Sequence, residues 1–303
     1  MQAGVIHNPR SHANRRRPGP PHPEALFADP ASAEELRVAL EWFKAKRVEL
    51  LIVDGGDGTI RDVLSALPGV FGDQPPLLSV VGSGKTNILA FDLGIRDSWT
   101  VDAALSAALR EDGRIRTRSP LKITRQGSEA APLRGFVFGA AALVRAVSLG
   151  QRFHRSGVFH NAAVGLTLLG AVAEMTAGAE NGAWSRGEAM RFAVDGGLSR
   201  EGARLVMMAT TLERLPFALR PFGSSRHGMK FLDVDAPPRK FVRALPRTLW
   251  GRNETWLDRH GYRRGDARRL ELELDAPVVL DGETYPGGLL TIEEDAPMRF
   301  LTP

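Results

Sequence analysis

The run Gly55-Gly56-Asp57-Gly58-Thr59-Ile60 stands directly after Leu50-Leu51-Ile52-Val53, so a buried apolar strand ends in a turn that sets three glycines around one carboxylate. A short apolar run closing on glycines suits an inner strand of a parallel sheet. Ile60, Val63, Leu64 and Leu67 then recur with helical period. The unit reads as strand, glycine turn, helix. Its helix N-terminus faces the crevice at the strand's carboxyl end, where backbone N–H groups meet phosphate oxygens. Glycine tolerates positive φ and close backbone approach, and Asp57 is suited to holding a Mg2+ on a nucleotide triphosphate. Taken alone, the same residues also make a serviceable tight turn.

Strands and helices alternate on both sides of this unit. Ala3 to Ile6 reads as a strand, Ala33 to Lys46 as a helix with Leu36, Leu40 and Phe43 on one face, and Glu49 to Val53 as the next strand. Ser32 and Glu35 have the spacing of a capping box before that helix. Leu77 to Val81 is a further strand, with helices from about Asn87 and from Val101 to Arg110. This alternation predicts a parallel sheet covered on both faces. After Gly113 the texture becomes β-rich: Arg116 to Arg125, Gly135 to Phe138, Arg204 to Thr210, Leu270 to Leu274 and Leu289 to Glu293, interrupted by a helical stretch around Val158 to Met175. The expected division is an α/β domain at 1–115 and a β-rich domain at 116–303, with a C-terminal tail that can return to the first. Arg15 to Pro23 reads as a solvated Arg/Pro loop.

Composition restricts the chemistry. With no cysteine among 303 residues, disulfides, thiolate metal sites and a Cys nucleophile are excluded, leaving carboxylates, hydroxyls, His and Lys/Arg. The histidines His7, His154, His160, His227 and His260 have no metal-ligand spacing and read as structural or surface residues. A net charge of +5 favours anionic partners. Nucleic acid is not expected among them, since the basic residues are spread along the chain without a recognised binding module. Val158 to Met175 is interrupted by His160, Asn161 and Glu174, which argues against a membrane span. No secretory signal is read at the N-terminus, so a cytoplasmic protein is expected.

Three further stretches accompany the glycine turn in order: Asn8-Pro9-Arg10-Ser11, then Gly84-Lys85-Thr86-Asn87-Ile88-Leu89-Ala90, and near the C-terminus Leu280-Asp281-Gly282-Glu283. Together the four motifs resemble the diacylglycerol kinase catalytic-domain family, bacterial lipid kinases related to sphingosine kinases. The resemblance implies a nucleotide domain similar to that of NAD kinase and phosphofructokinase, followed by a β-sandwich that helps form the lipid site. It implies a kinase that uses ATP and Mg2+ to phosphorylate a hydroxyl of a membrane lipid, diacylglycerol-like or sphingoid, while peripheral to the inner face of the membrane. Asn8, Pro9 and Ser11 would lie in a first ATP-binding loop, Gly55, Gly56, Asp57, Gly58 and Thr59 in a second, and Gly84, Lys85, Thr86 and Asn87 in a third. Asp281 and Glu283 are the candidates for the chemical step beside Asp57, with Asp57 and Glu283 the candidate metal ligands; general base and Mg2+ support are not apportioned between Asp281 and Glu283. A kinase of a soluble nucleotide, as in NAD kinase, and an inactive nucleotide-binding module are the alternative readings. A homodimer is compatible with the sequence.

The chain departs from the family pattern in places. Asp62 stands where the family usually has Glu, and Lys85 replaces a usual Thr, with an ammonium able to reach a β- or γ-phosphate. Ser83-Gly84-Lys85-Thr86 is not a Walker A motif, because position 79 is Ser79. Arg226-His227-Gly228-Met229 has lost the two acids of an Asp-Asp-Gly stretch that supports a structural Mg2+. Pro216 to Phe231 instead gathers Arg220, Arg226, His227 and Lys230 near Phe217, Phe222 and Phe231, a mixture suited to an anionic lipid interface.

Overall fold

Apolar strands separated by amphipathic helices build a first sheet from the N-terminal part of the chain. The structure, a computed structural model, describes residues 1–16, 22, 24–155, 182, 185–223, 228–252 and 254–303. The expected helix at Val158 to Met175, most of the Arg/Pro loop and the pair Arg226-His227 lie outside the described residues.

The strands β1 (Ala3–His7), β2 (Ala25–Ala28), β3 (Leu50–Gly55) and β4 (Leu77–Gly82) are parallel neighbours in the order β2-β1-β3-β4. All six residues of β3 are buried, as expected for an inner strand covered on both faces. Each fully buried Leu or Ile there contributes roughly 1.5 to 3 kcal/mol. Helix α1 (Ala33–Ala45) buries Leu36, Leu40 and Phe43. Its cap is half of the predicted box: the Glu35 N–H donates to Ser32 Oγ at 3.2 Å, but the Glu35 carboxylate turns back to the Ala31 N–H at 2.8 Å. Helices α2 (Asp57–Phe71), α3 (Ile88–Leu93) and α4 (Val101–Arg110) complete this layer. β2 went unread in the sequence because four half-buried residues at a sheet edge carry little periodicity.

The expected strand Arg116 to Arg125 is broken in two. β5 (Arg114–Arg118) belongs to the first sheet, whereas β6 (Leu121–Arg125) enters the second. Pro120 lies between them and cannot donate to a ladder. The sheet change thus falls a few residues after 115. The second sheet has eleven strands in antiparallel pairs. They are β6, β7 (Leu133–Gly135), β8 (Val137–Ala141), β9 (Glu188–Val194), β10 (Arg200–Thr210), β11 (Lys230–Asp235), β12 (Tyr262–Asp266), β13 (Arg269–Leu274), β14 (Val278–Leu280), β15 (Glu283–Tyr285) and β16 (Gly288–Glu294). β10 pairs with β9 at one end and β8 at the other, and the β11–β12 ribbon branches from it. Helices α5 (Ala142–Arg155), α6 (Phe241–Leu249) and α7 (Glu254–Arg259) accompany this part. An α/β domain with a parallel sheet is therefore followed by a large antiparallel β domain, as the sequence predicts. Finally β17 (Met298–Thr302) inserts into the first sheet, parallel to β4 and antiparallel to β5. Among the described residues no helix is long and apolar enough to cross a membrane.

The two parts are joined by polar contacts that no local pattern announced. Asp92 of α3, fully buried, accepts from Arg118 Nε at 2.5 Å and from the Arg214 N–H at 2.6 Å. Arg118 also reaches Glu213 at 2.9 Å. Ser65 of α2 accepts the Arg134 N–H of β7 at 2.8 Å.

Candidate active site

The glycine turn closes on itself and on the third loop. Gly55, Gly56 and Gly58 are not among the positive-φ residues, so of the two freedoms glycine offers, the turn uses close approach. A Cβ on Gly55 would lie 2.6 Å from Thr59 Oγ1, and one on Gly84 2.6 Å from the Gly56 Cα. The second and third loops therefore touch backbone to backbone, which only glycine allows. Asp57 is the first residue of α2, and its carboxylate faces the backbone N–H groups of Asn87, Ile88 and Leu89 at the start of α3. Burial raises its pKa, against the neighbouring backbone N–H groups, which lower it.

The first loop joins the same assembly. Asn8 donates from Nδ2 to Thr59 Oγ1 at 2.8 Å, and its Oδ1 accepts the Arg10 N–H at 2.9 Å. Pro9 is exposed, and Ser11 is buried with its N–H on the Asn8 carbonyl at 3.1 Å. Asn87 stitches the third loop: Oδ1 accepts the Gly84 N–H at 2.8 Å and Nδ2 donates to the Gly82 and Gly84 carbonyls. Lys85 and Thr86 are exposed and line a cleft of about 1010 Å3 that continues past Phe27, Trp99 and Ile95. At its floor lies a network that spacing did not reveal. Asp54 Oδ2 pairs with His7 Nδ1 at 2.7 Å, Asp54 Oδ1 accepts from Ser83 Oγ at 2.5 Å, and Asn14 Nδ2 donates to the Asn8 carbonyl at 3.0 Å. His7 is thus a buried structural partner of an aspartate, tying together the carboxyl ends of β1, β3 and β4.

The Asp281-Gly282-Glu283 motif forms the tight turn of the β14–β15 hairpin, with Asp281 at φ 47° and Gly282 at φ 83°. That turn separates the two acids. Asp281 points inward, its Oδ1 accepting the Val137 N–H at 2.8 Å and its Oδ2 the Phe136 N–H at 3.0 Å. Glu283 is exposed. Asp281 is pushed up to about 7, chiefly by burial, with the Asp57 charge raising it further and the two N–H groups and Arg61 opposing. Gly135 makes room for this seat, since a Cβ there would lie 2.3 Å from Asp281 Oδ2. Asp62 pairs with Arg61, its Oδ1 accepting from Nη2 at 2.7 Å.

Among the described residues no group of three or more His, Asp or Glu is arranged to hold a metal. Mg2+ does not need one, because it commonly takes one or two carboxylates and fills its octahedron with phosphate oxygens and water. Asp57 and Asp281 repel each other's ionised forms, and a cation relieves that repulsion, so the donor set fits. Among the described residues of the basic and aromatic region Pro216 to Phe231, Phe222, Lys230 and Phe231 are buried, while Phe217 and Arg220 are exposed. The residues of interest that sequence reading missed are Arg61, Gly135 and Asp54.

The site of this two-domain protein is a glycine turn at the carboxyl end of an inner parallel strand, with a carboxylate hairpin from a second β domain beside it. Residues 23–117 match the family model of the diacylglycerol kinase catalytic domain, which bears out the resemblance read from the motifs. The match takes in the second and third loops. Two solved structures of Bacillus anthracis str. Sterne, one of a provisionally named diacylglycerol kinase and one of a diacylglycerol kinase, are 14% identical to this chain. Each covers 100% of it and 97% of its own length, with TM-scores of 0.66 and 0.62. They share its fold. No curated protein matches the chain.

Proposed function

We propose that this chain is an ATP- and Mg2+-dependent lipid kinase that transfers the γ-phosphoryl group to a hydroxyl of a diacylglycerol-like or sphingoid lipid. The observation that carries the reading is the inward-facing Asp281, held by the Phe136 and Val137 N–H groups within electrostatic reach of Asp57 in the glycine turn. A phosphoryl transfer to an alcohol asks for this pairing: a carboxylate to take the hydroxyl proton and a donor loop that positions the phosphates. The turn around Gly56 and Gly84 would hold the phosphates by backbone N–H groups, and Asp281 would accept the proton. A bound Mg2+, held by Asp57, would neutralise charge on the phosphates. Incubation with radiolabelled ATP and a mixed extract of membrane lipids tests the reading. Label in a lipid supports it; label in NAD points to a soluble-nucleotide kinase; ATP bound with no product points to an inactive module.

Lys85 gives a sharp kinetic expectation. If its ammonium meets the transferring phosphoryl, Lys85→Met loses about 2 to 4 kcal/mol of transition-state stabilisation. That lowers kcat/KM roughly 30- to 1000-fold, and Lys85→Arg recovers little of it because a planar guanidinium does not replace a compact ammonium. Kinetics within about twofold of wild type for Lys85→Met would remove it from the site.

The lipid substrate implies contact with a membrane surface, and we propose a face for it. Phe217, Val242 and Trp250 are 89%, 62% and 55% exposed. The Arg220 N–H donates to the Leu249 carbonyl at 2.8 Å, bringing the Phe217 loop to the end of α6. Lys240, Arg243 and Arg252 are exposed around these apolar groups, and no acidic residue occurs from Ala236 to Asn253. Protruding aromatic groups ringed by cations complement an anionic bilayer. Phe217→Ala combined with Trp250→Ala is expected to weaken co-sedimentation with phosphatidylcholine vesicles containing phosphatidylglycerol about tenfold or more, by the loss of inserted apolar surface. Undiminished binding would reject this face.

A further inference from the structure

Arg61 occupies the gap between the donor turn and the acceptor hairpin. It lies one helical turn beyond Asp57 on α2, and its side chain is only 8% exposed. On one side the guanidinium covers the glycine turn, where a Cβ on Gly58 would lie 3.8 Å from Nη2 and 3.9 Å from Nη1. On the other side its Cζ lies 5.7 Å from the centre of the Tyr285 ring, in the strand that follows the Asp281-Gly282-Glu283 turn. It therefore bridges the two motifs that the proposed reaction requires, one from each domain.

Its hydrogen bonding is incomplete. Nε and Nη2 both go to one oxygen of Asp62, at 3.1 and 2.7 Å, whereas Nη1 is buried without a partner among the described residues. A guanidinium is a fork built to engage two anionic oxygens. Buried donors are nearly always satisfied, so an orphan beside a reaction centre calls for a ligand. The surroundings identify what it would take. Asp57, Asp62, Asp281 and Glu283 gather here, and an incoming polyphosphate adds further negative charge; Arg61 is the cation described between them.

We propose that Arg61 is a catalytic residue whose Nη1 donates to an oxygen of the phosphoryl group during transfer. The proposal rests on the kinase reading. In the step the acceptor oxygen forms a bond to the γ-phosphorus and the bond from that phosphorus to the bridging oxygen breaks. The bonding pair stays on the ADP oxygen, and the acceptor proton passes to the Asp281 carboxylate. Arg61 exchanges no proton, since its guanidinium stays charged; it stabilises charge spread over the transferring group.

Arg61→Gln and Arg61→Lys test this on the full-length chain. Arg61→Gln is expected to lower kcat roughly 10²- to 10³-fold with KM for ATP within about threefold, because the contact is made in the transition state. Arg61→Lys should recover part of the loss by restoring the charge without the fork. A second readout needs no acceptor lipid: calorimetric binding of Mg-ADP with and without tetrafluoroaluminate, a mimic of the transferring phosphoryl. Wild type should bind the combination more tightly than ADP, and Arg61→Gln should lose that gain while keeping its affinity for ADP and its melting temperature. Normal kcat in Arg61→Gln, an undiminished fluoride gain, or a parallel loss of ADP affinity and thermal stability would each overturn the proposal. If wild type labels no acceptor, the kinase reading fails, while the fluoride comparison still decides whether Arg61 meets a phosphoryl-like group.

Discussion

Asp281→Asn is expected to lower kcat roughly 10²- to 10⁴-fold, the range for losing a positioned general base, with KM for ATP little changed. The substitution keeps the shape of the turn, and an amide oxygen at the Oδ1 position can still accept from Val137 and, at 3.1 Å, from Phe136, but the amide NH2 then faces the Phe136 N–H where Oδ2 accepted it, so the seat is weakened while proton acceptance is lost. The pH dependence follows. With Asp281 pushed up to about 7 by burial, the ionised base is present above that pH, and the wild-type rate falls as pH drops through about 7. The sign for stability is the opposite. A carboxyl whose folded pKa is raised binds its proton more tightly when folded, so it favours the fold at low pH and loses that contribution as pH rises through about 7. Any melting-temperature deficit of Asp281→Asn against wild type should therefore be smaller at pH 8 than at pH 5, because only the wild-type chain gives up stability as this carboxyl ionises. Turnover near wild type, measured with one accepted lipid across pH 6 to 9, would remove Asp281 from the chemical step.

Replacement of Asp57 is expected to have an equally large effect by two separable routes. Asp57→Ala deletes the carboxylate that the Asn87, Ile88 and Leu89 N–H groups face and so removes an electrostatic partner of the start of α3. The third loop then loses its anchor on the second. Loss of activity is expected together with a lower melting temperature, so the alanine variant alone does not isolate chemistry from folding. Asp57→Asn does so, since it keeps the side chain's shape and an oxygen to face the start of α3 while the charge is gone. Its kcat should fall roughly 10²- to 10³-fold, the scale of one preorganised electrostatic contact, with a weaker response to added Mg2+ and a melting temperature close to wild type. Wild-type turnover and Mg2+ response in Asp57→Asn would leave that carboxylate a purely structural cap.

Legibility of the fold in the sequence differed from element to element. β3 and α2 were readable because strand burial and helix period are local properties of consecutive residues. The crossover at Ser119-Pro120 was obscured because Arg116 to Arg125 was read as one β-rich segment across Pro120, and only pairing partners assign its halves to different sheets. The sequence allowed the C-terminal tail to return to the first domain, but nothing in the five residues of β17 says that it pairs between β4 and β5.

The site divides in the same way. The sequence by itself determined the residue types and order of the four motifs, since glycines, carboxylates and their spacing are written in consecutive positions. It also determined that the chemistry would rest on carboxylates and cations in a chain without cysteine. Only the tertiary structure decided which acid of Asp281-Gly282-Glu283 turns inward, because the choice depends on N–H groups at Phe136 and Val137 and on the space at Gly135, far away in the chain. It likewise decided that Gly56 and Gly84 meet back to back, that His7 serves Asp54, and that Arg61 lies between the domains with a donor to spare. The physical reason is common to these cases: burial, electrostatic coupling and steric exclusion act between atoms that folding brings within a few ångströms, and sequence spacing carries no record of such distances.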